Sequence, residues 1–300
     1  MPEIPFLEVL AENLAAGISG RRIESIEVRQ PALLMTSSPS PESFAGEFLS
    51  HPSRKGKFLI FETESRRAIV IHLMRLGRIQ IAPGPAGSGK GAGREGRPVA
   101  GRPKAPKNLS ARIRFDDSTE LRLVEHGTEK RARLWLTEDA DSLPEIQTVG
   151  PDPTRGEMDA AAFTAALRAQ SRQLKTFLTD QRTISGIGNG LSDEILYEAR
   201  LSPFQLTRNV DDEAAERLHR AVLDVLARQT ALLRESAGGD LPQREPVGHY
   251  AVHDHAGGRC ARCGATIARV SYADHETFYC PGCQTGGVPL KDRRLSKLLK

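Results

Sequence analysis

Residues 260–283 read CARCGATIARVSYADHETFYCPGC, and this stretch decides how the C-terminal part of the chain can fold. It holds all four cysteines of the protein, as two C-x-x-C pairs with 16 residues between them. Each C-x-x-C turn can aim two thiolates at one point, and Zn²⁺ prefers four such soft donors in a tetrahedron. Between the pairs, ATIARV and ETFYC alternate as two short strands, with Ala273 and Asp274 near the turn. Arms this short are not stable alone, so metal binding must supply the folding free energy, roughly 10–16 kcal/mol for sites of this kind. One structural zinc per chain, held by Cys260, Cys263, Cys280 and Cys283, is the expectation. A redox dithiol pair or two disulfides are the rival uses of four cysteines, and the doubled, regularly spaced motif favours the metal.

Working outwards, residues 240–259 form a loop-like approach to the hairpin, and the chain closes on a basic tail, KDRRLSKLLK. Upstream, MDAAAFTAALRA, RQLKTFLTD, LSDEILYEAR and a long segment from Asp211 to Ser236 read as four helices. In the last, Leu218, Val222, Val225, Leu226, Gln229 and Leu233 mark one face, and Asp211 is placed to cap its first turn. Between the second and third lies TISGIGNG, a tight turn whose backbone N–H groups can face an anion; an ordinary corner between helices is the alternative. From Arg22 to Leu136 the texture is instead one of about seven short alternating runs, with Asp116–Thr119 as a hairpin turn, which implies a β-sandwich or flattened barrel. Residues 83–107 interrupt it with seven Gly, five Pro, six Lys or Arg and one acid, the composition of a disordered basic loop. At the N-terminus, Leu7, Leu10 and Leu14 give a helix from Pro5 to about Ala16, with Gly17 as its stop.

The 300 residues carry a formal net charge of +4, placed unevenly enough to suit a polyanionic partner. No apolar run approaches the ~18 residues of a membrane span, so no membrane partner is expected, and cysteines committed to one metal site fit a reducing cytosol. Pro2 has a consequence of its own. A small residue at this position allows removal of Met1, and the chain would then begin with a secondary amine beside Glu3. A free α-amine has a pKa of about 7.7–8.0, so it is partly neutral, and nucleophilic, near physiological pH. A proline that merely happens to lie at a terminus is the other reading of the same residue.

Together these pieces resemble the formamidopyrimidine-DNA glycosylase and endonuclease VIII family. Pro2-Glu3 with Pro5 resembles its N-terminal catalytic signature, and RKGKFL matches the block that carries its sandwich lysine, here Lys57. QLKTFLTDQRTISGIGNGLSDEIL resembles its helix–two-turn–helix, with Lys175 and Asn189 at phosphate-contacting positions, and TFYCPGCQ resembles the second half of its zinc hairpin. The resemblance implies an α+β fold: a catalytic β-sandwich over 1–150, a helix–two-turn–helix domain over 151–236, a zinc finger hairpin over 237–288 and a tail over 289–300. It implies a glycosylase with AP lyase activity on an oxidised base, with Pro2 as nucleophile, Glu3 as acid/base and Lys57 as a positive neighbour. It also implies damaged double-stranded DNA as partner, with single-stranded DNA as a second substrate form, a monomer, and a cytoplasmic, nucleoid-associated location. The alternative within the same fold is a protein that binds lesions or abasic sites without turnover.

Departures from the family pattern are specific. Phe6 stands where another carboxylate usually follows Pro5, and His275 stands where the hairpin usually has a phosphate-gripping Arg. His72-Leu73-Met74-Arg75-Leu76-Gly77 replaces the segment that carries a void-filling Met, and Arg131 is the candidate for a second void-filling position, with no aromatic beside it. The loop that caps an oxidised purine is shortened after Gly239.

Overall fold

The computed structural model describes residues 1–82, 106–245, 247–272 and 275–290. The basic loop over 83–107 lies largely outside these residues, as do Ala273 and Asp274 of the hairpin turn and residues 291–300 of the basic tail. Helix α1 (Ile4–Ile18) leads into two antiparallel four-stranded sheets. One has the order β1 (Ile23–Val28), β6 (Leu109–Phe115), β7 (Glu120–Glu125), β5 (Gly77–Ala82). The other has the order β2 (Ser53–Lys55), β3 (Phe58–Glu62), β4 (Ala68–His72), β8 (Arg133–Thr137). The turn at 116–119 joins β6 to β7, with Ser118 in the left-handed region at φ 68° and Thr119 N donating to Asp117.

The two sheets face each other through Leu59, Phe61, Ile69 and Ile71 on one side and Ile79, Ile113, Leu121 and Leu123 on the other. Leu7, Leu10 and Leu14 of α1 join that core. The second sheet also buries its outer face, where Ile60, Val70 and Trp135 meet Ile146 of a short helix α2 (Pro144–Gln147). A strand covered on both faces has no polar side to display, which is why FLIF and AIVI run apolar instead of alternating.

The helical part comprises α3 (Ala160–Ala169), α4 (Leu174–Thr179), α5 (Asn189–Glu198) and α6 (Asp212–Ala237). Asp211 caps α6 by accepting from Ala214 N at 2.8 Å, and the whole face from Leu218 to Leu233 is buried. Leu233 packs into the sandwich core while Leu218, Val222 and Leu226 pack into the helical core, so α6 spans both halves. Beyond α6 the described residues form a hairpin of β9 (Ala268–Ser271) and β10 (Glu276–Tyr279), followed by a short helix α7 (Pro281–Gln284).

Two sequence expectations need correction. Gly17 does not stop α1, which runs on to Ile18 and is closed by the Ser19 N–H donating to Ala15 O. A Cβ at Gly17 would come within 3.0 Å of Ile81 Cδ1, so this glycine lets the helix lie close to the sheet. Among the described residues the sandwich has eight strands where the sequence implies about seven; β2 is only three residues long and carries Arg54, whose buried guanidinium pairs with Asp152 and Glu8. A three-residue strand centred on an arginine has no apolar alternation to reveal it.

Candidate active site

The first residues of the chain dock onto the turn between α4 and α5. Ile4 is fully buried and its N–H donates to Gly186 O. Gly186 sits at φ 81°, and a Cβ there would fall 2.1 Å from Ile4 Cγ1. At Gly188 a Cβ would meet the Glu3 carboxyl carbon at 2.6 Å and Lys57 Nζ at 2.8 Å. Both glycines are thus required by close approach, not by turn shape alone. The N–H groups that this turn frees do face an anion, and the anion is internal. Glu3 Oε2 accepts from Gly188 N at 2.6 Å and Leu191 N at 3.2 Å, and Oε1 accepts from Gly190 N at 3.0 Å. The positive end of the α5 dipole and three amide donors hold a buried carboxylate from the far end of the chain.

Lys57, on the turn between β2 and β3, is buried in the same corner. Burial holds its ammonium below the usual lysine range, against the opposing pull of Glu3 and Glu245. The terminal amine is also held down by burial, with Lys57 and Arg75 adding to the effect and Glu3 and Glu245 opposing it. His72, at the end of β4, is pushed down to about 4 by burial and by the charges of Lys57 and Arg133. Its Nδ1 accepts from Met74 N at 3.2 Å, which suits a neutral ring.

Two adjoining cavities, of about 700 Å³ and about 630 Å³, open over this corner. Met1, Lys57, Gly188, Asn189, Tyr272 and His275 line both. The structure therefore gathers Glu3, Lys57, Asn189 and His275 around the start of the chain, where Pro2 itself is buried. His275 is exposed and lies flat against Tyr272, with ring centroids 4.6 Å apart and planes 8° from parallel.

Lys175 lines the first cavity, but its ammonium is enclosed. It pairs with Asp193 and donates to Glu276 O at 3.2 Å and Asn189 O at 3.4 Å. Asp193 also meets His253 Nδ1 at 2.8 Å and Phe278 N at 3.2 Å, so one buried carboxylate ties α4, α5, the 247–259 loop and β10 together. Arg131 stands apart, on the loop before β8, with its side chain 68% exposed and paired with Glu129 at 2.7 Å.

Three functional-looking acids escape a sequence reading. Asp193 and the adjacent Glu194 are both buried, and Glu194 accepts the N–H groups of Ala251, Val252 and His253. Two acids inside the otherwise apolar LSDEIL were the available signal. Glu245 had none: it is a single glutamate in a polar loop, yet its Oε1 accepts Glu3 N at 2.9 Å.

The four cysteine sulfurs all lie within 4.8 Å of one another, with Cys260 Sγ 3.8 Å from Cys283 Sγ and Cys263 Sγ 3.3 Å from Cys280 Sγ. Zn–S bonds of about 2.3 Å in a tetrahedron place sulfurs about 3.8 Å apart. The donor set fits one structural zinc ion. Among the described residues, no helix is long and apolar enough to cross a membrane.

Comparison with known proteins agrees with this geometry along the chain. Residues 1–128 match the family model of the formamidopyrimidine-DNA glycosylase N-terminal domain, and residues 149–238 match that of the formamidopyrimidine-DNA glycosylase H2TH domain. Residues 257–286 match the zinc finger found in FPG and IleRS. The formamidopyrimidine-DNA glycosylase of Salinispora arenicola is 31% identical, with 95% of this chain and 96% of that protein covered. The Thermus thermophilus protein of the same name is 29% identical, with coverages of 96% and 100%. Among solved structures, the Lactococcus lactis glycosylase bound non-covalently to DNA containing an AP site gives a TM-score of 0.78 at 25% identity, covering 94% of this chain and 99% of that one. The same bacterium's enzyme in complex with DNA containing FAPY-dG gives 0.78 at 26% identity, covering 94% and 100%.

Proposed function

The chain belongs to the formamidopyrimidine-DNA glycosylase and endonuclease VIII family, and on that premise we propose that it is a base-excision glycosylase with AP lyase activity. Its substrate is an oxidised base in duplex DNA, and its nucleophile is the Pro2 amine exposed when Met1 is removed. The observation that carries this reading is the meeting of the chain's start, the Glu3 carboxylate and the Lys57 ammonium in one buried corner beneath a cavity.

The roles follow from that corner. A secondary amine must be neutral to attack C1′ of the damaged nucleoside, and burial together with the Lys57 charge lowers the basicity of an amine placed there. Attack expels the base and leads to a Schiff base; Glu3 handles the sugar protons of ring opening and elimination. The base must first leave the stack, which costs a few kcal/mol and is cheapest at a damaged or mispaired site. Asn189 and His275, on the rim of both cavities, are the proposed phosphate contacts. Lys175 supports both by bonding the Asn189 carbonyl and the β10 backbone, and Arg131 is the proposed void-filling side chain. Zinc is structural and takes no part in the chemistry. A protein that binds lesions without turnover would have no use for a buried lysine and carboxylate at its first residues.

Borohydride reduces a Schiff base to a stable amine, so the processed protein should become covalently linked to abasic duplex DNA. A variant with an N-terminal tag should not. Equal trapping by the tagged protein would exclude Pro2 as nucleophile.

A further inference from the structure

A second carboxylate, Glu245, lies beside Glu3 at the chain's N-terminus. Both Glu3 oxygens are engaged by the amides of α5. Glu245 comes in from the 239–250 segment, and its Oε1 accepts the Glu3 N–H at 2.9 Å. That nitrogen is bonded to the Pro2 carbonyl carbon, so Glu245 contacts the backbone of the residue that follows the proposed nucleophile. The residue is only partly buried, but its Oε2 is shut off from solvent and has no hydrogen-bond partner among the described residues. Glu245 lines the cavity of about 630 Å³ together with Met1, Glu3, Lys57 and Arg75. Phe6, at the position where a second carboxylate is usual, is instead buried in the sandwich core.

We propose that Glu245 is the proton acceptor for the N-terminal amine, a catalytic residue separate in task from Glu3. The inference rests on the Pro2 reading above. In the step it serves, the nitrogen lone pair forms a bond to C1′ while the C1′–base bond breaks, and the departing base takes a proton from water. The nitrogen is then a four-bonded ammonium and must lose its remaining hydrogen before its lone pair can push out O4′. Glu245 takes that hydrogen as a proton. The C1′–O4′ bond breaks, O4′ is protonated, and the iminium keeps the positive charge, so the amine proton and one solvent proton balance the step.

The surroundings suit this task. Burial pushes the Glu245 carboxyl up to about 8, with the Glu3 charge acting in the same direction and the Glu3 N–H, the terminal amine and Lys57 opposing. The terminal amine is held below its ordinary value by burial, so the ammonium formed on attack can pass its proton to a carboxylate of raised pKa at little cost. The other charged or titratable groups near it are Arg244 on its own segment, Arg78 from β5 and Arg75 from the turn before it. Tyr250, His253 and Asp254 follow it in the chain, and His275 and Glu276 line the same cavity from the hairpin.

The test uses full-length, zinc-loaded protein with Met1 removed, comparing wild type, Glu245→Gln and Glu245→Asp. Glutamine keeps an oxygen for the Glu3 N–H but cannot take a proton. Borohydride trapping on abasic duplex is timed across pH, affinity is measured on a duplex with a tetrahydrofuran abasic analogue, and thermal melting checks the fold. Glu245→Gln should lower the maximal trapping rate by about a hundredfold or more, the usual scale of general-base catalysis. The pH of half-maximal trapping should also move down, because a carboxylate that stabilised the ammonium has gone. Affinity should not change, and Glu245→Asp should recover part of the rate. Trapping by Glu245→Gln at the wild-type rate and pH profile would overturn the proposal while leaving Pro2 intact. So would a loss of affinity and rate in proportion, with aspartate no better than glutamine, since that marks a purely structural side chain. Absence of any adduct with wild type would bring down the Pro2 reading and this proposal together.

Discussion

Replacing Lys175 with methionine separates two incompatible jobs for one residue. The family resemblance makes Lys175 a phosphate contact, whereas the structure shows its ammonium enclosed and bonded to Asp193, Asn189 O and Glu276 O. Methionine fills a similar volume without the charge. It leaves Asp193 with His253 and the Phe278 N–H as partners and removes a donor from two carbonyls. Breaking a buried pair by deleting one member costs about 3–5 kcal/mol. Asp193 keeps two hydrogen-bond partners, His253 Nδ1 and the Phe278 N–H, which favours the lower end, about 3 kcal/mol. At about 2–4 °C per kcal/mol for a folding unit of this size, the melting temperature should fall by about 6–12 °C. Calorimetry of the zinc-loaded protein gives the shift, and DNA binding over a salt series gives the second coordinate. A simple phosphate contact would do the opposite, leaving the melt alone and reducing the salt slope by about one. A melting shift under about 2 °C with that change in slope would refute the structural role of Lys175.

Three further outcomes are expected. Cys280→Ser should lose zinc, measured by metal analysis, and with it DNA binding, while the sandwich keeps its strand signal in circular dichroism; full zinc occupancy would contradict the ligand set. His275→Arg should raise the second elimination at neutral pH, read on a sequencing gel, because arginine holds phosphate with a permanent charge and a planar fork of donors. A complete second elimination by wild type at alkaline pH would place the needed charge elsewhere. His72 has a folded-state pKa near 4, below the ordinary histidine value, so the unfolded chain binds its proton first as pH falls. Its share of stability is present above about pH 6.5 and is lost towards pH 4, about 3 kcal/mol in all at about 1.4 kcal/mol per unit. His72→Gln should flatten the acid side of the melting-temperature profile by that amount, and an unchanged profile would show that the ring titrates normally.

What the sequence reveals divides along physical lines. Cysteine spacing is local, and four convergent thiols follow from it directly. Helical periodicity marks α3 and α6, which each bury one face, whereas α5 is buried on nearly every side. Gly17 was misread because its role is contact with Ile81, some sixty positions away, and no local pattern encodes that. Lys175 is legible only through the family motif, and its neutralisation depends on α5 folding back so that Asp193 meets α4. Pro2 beside Glu3 is legible as a terminal secondary amine next to a carboxylate, whereas Lys57 is legible only through a known motif. Glu245 matches none, and the feature that distinguishes it, enclosure beside the chain's first residues, exists only after folding.

Glu3 belongs to the first turn of one half of the molecule but is held by backbone amides of the other. The proposed reactive corner is consequently a joint, and it is assembled only while the joint is closed. Neither half could be expressed separately with a working site, however well it folded. On gentle heating, activity should fade before either half melts, because a slight parting of α1 from α5 releases Glu3 while every strand and helix is still intact. An inactivation temperature below the calorimetric transition would be the mark of such a joint, and substitutions at Ile4 or Gly186 should widen the interval.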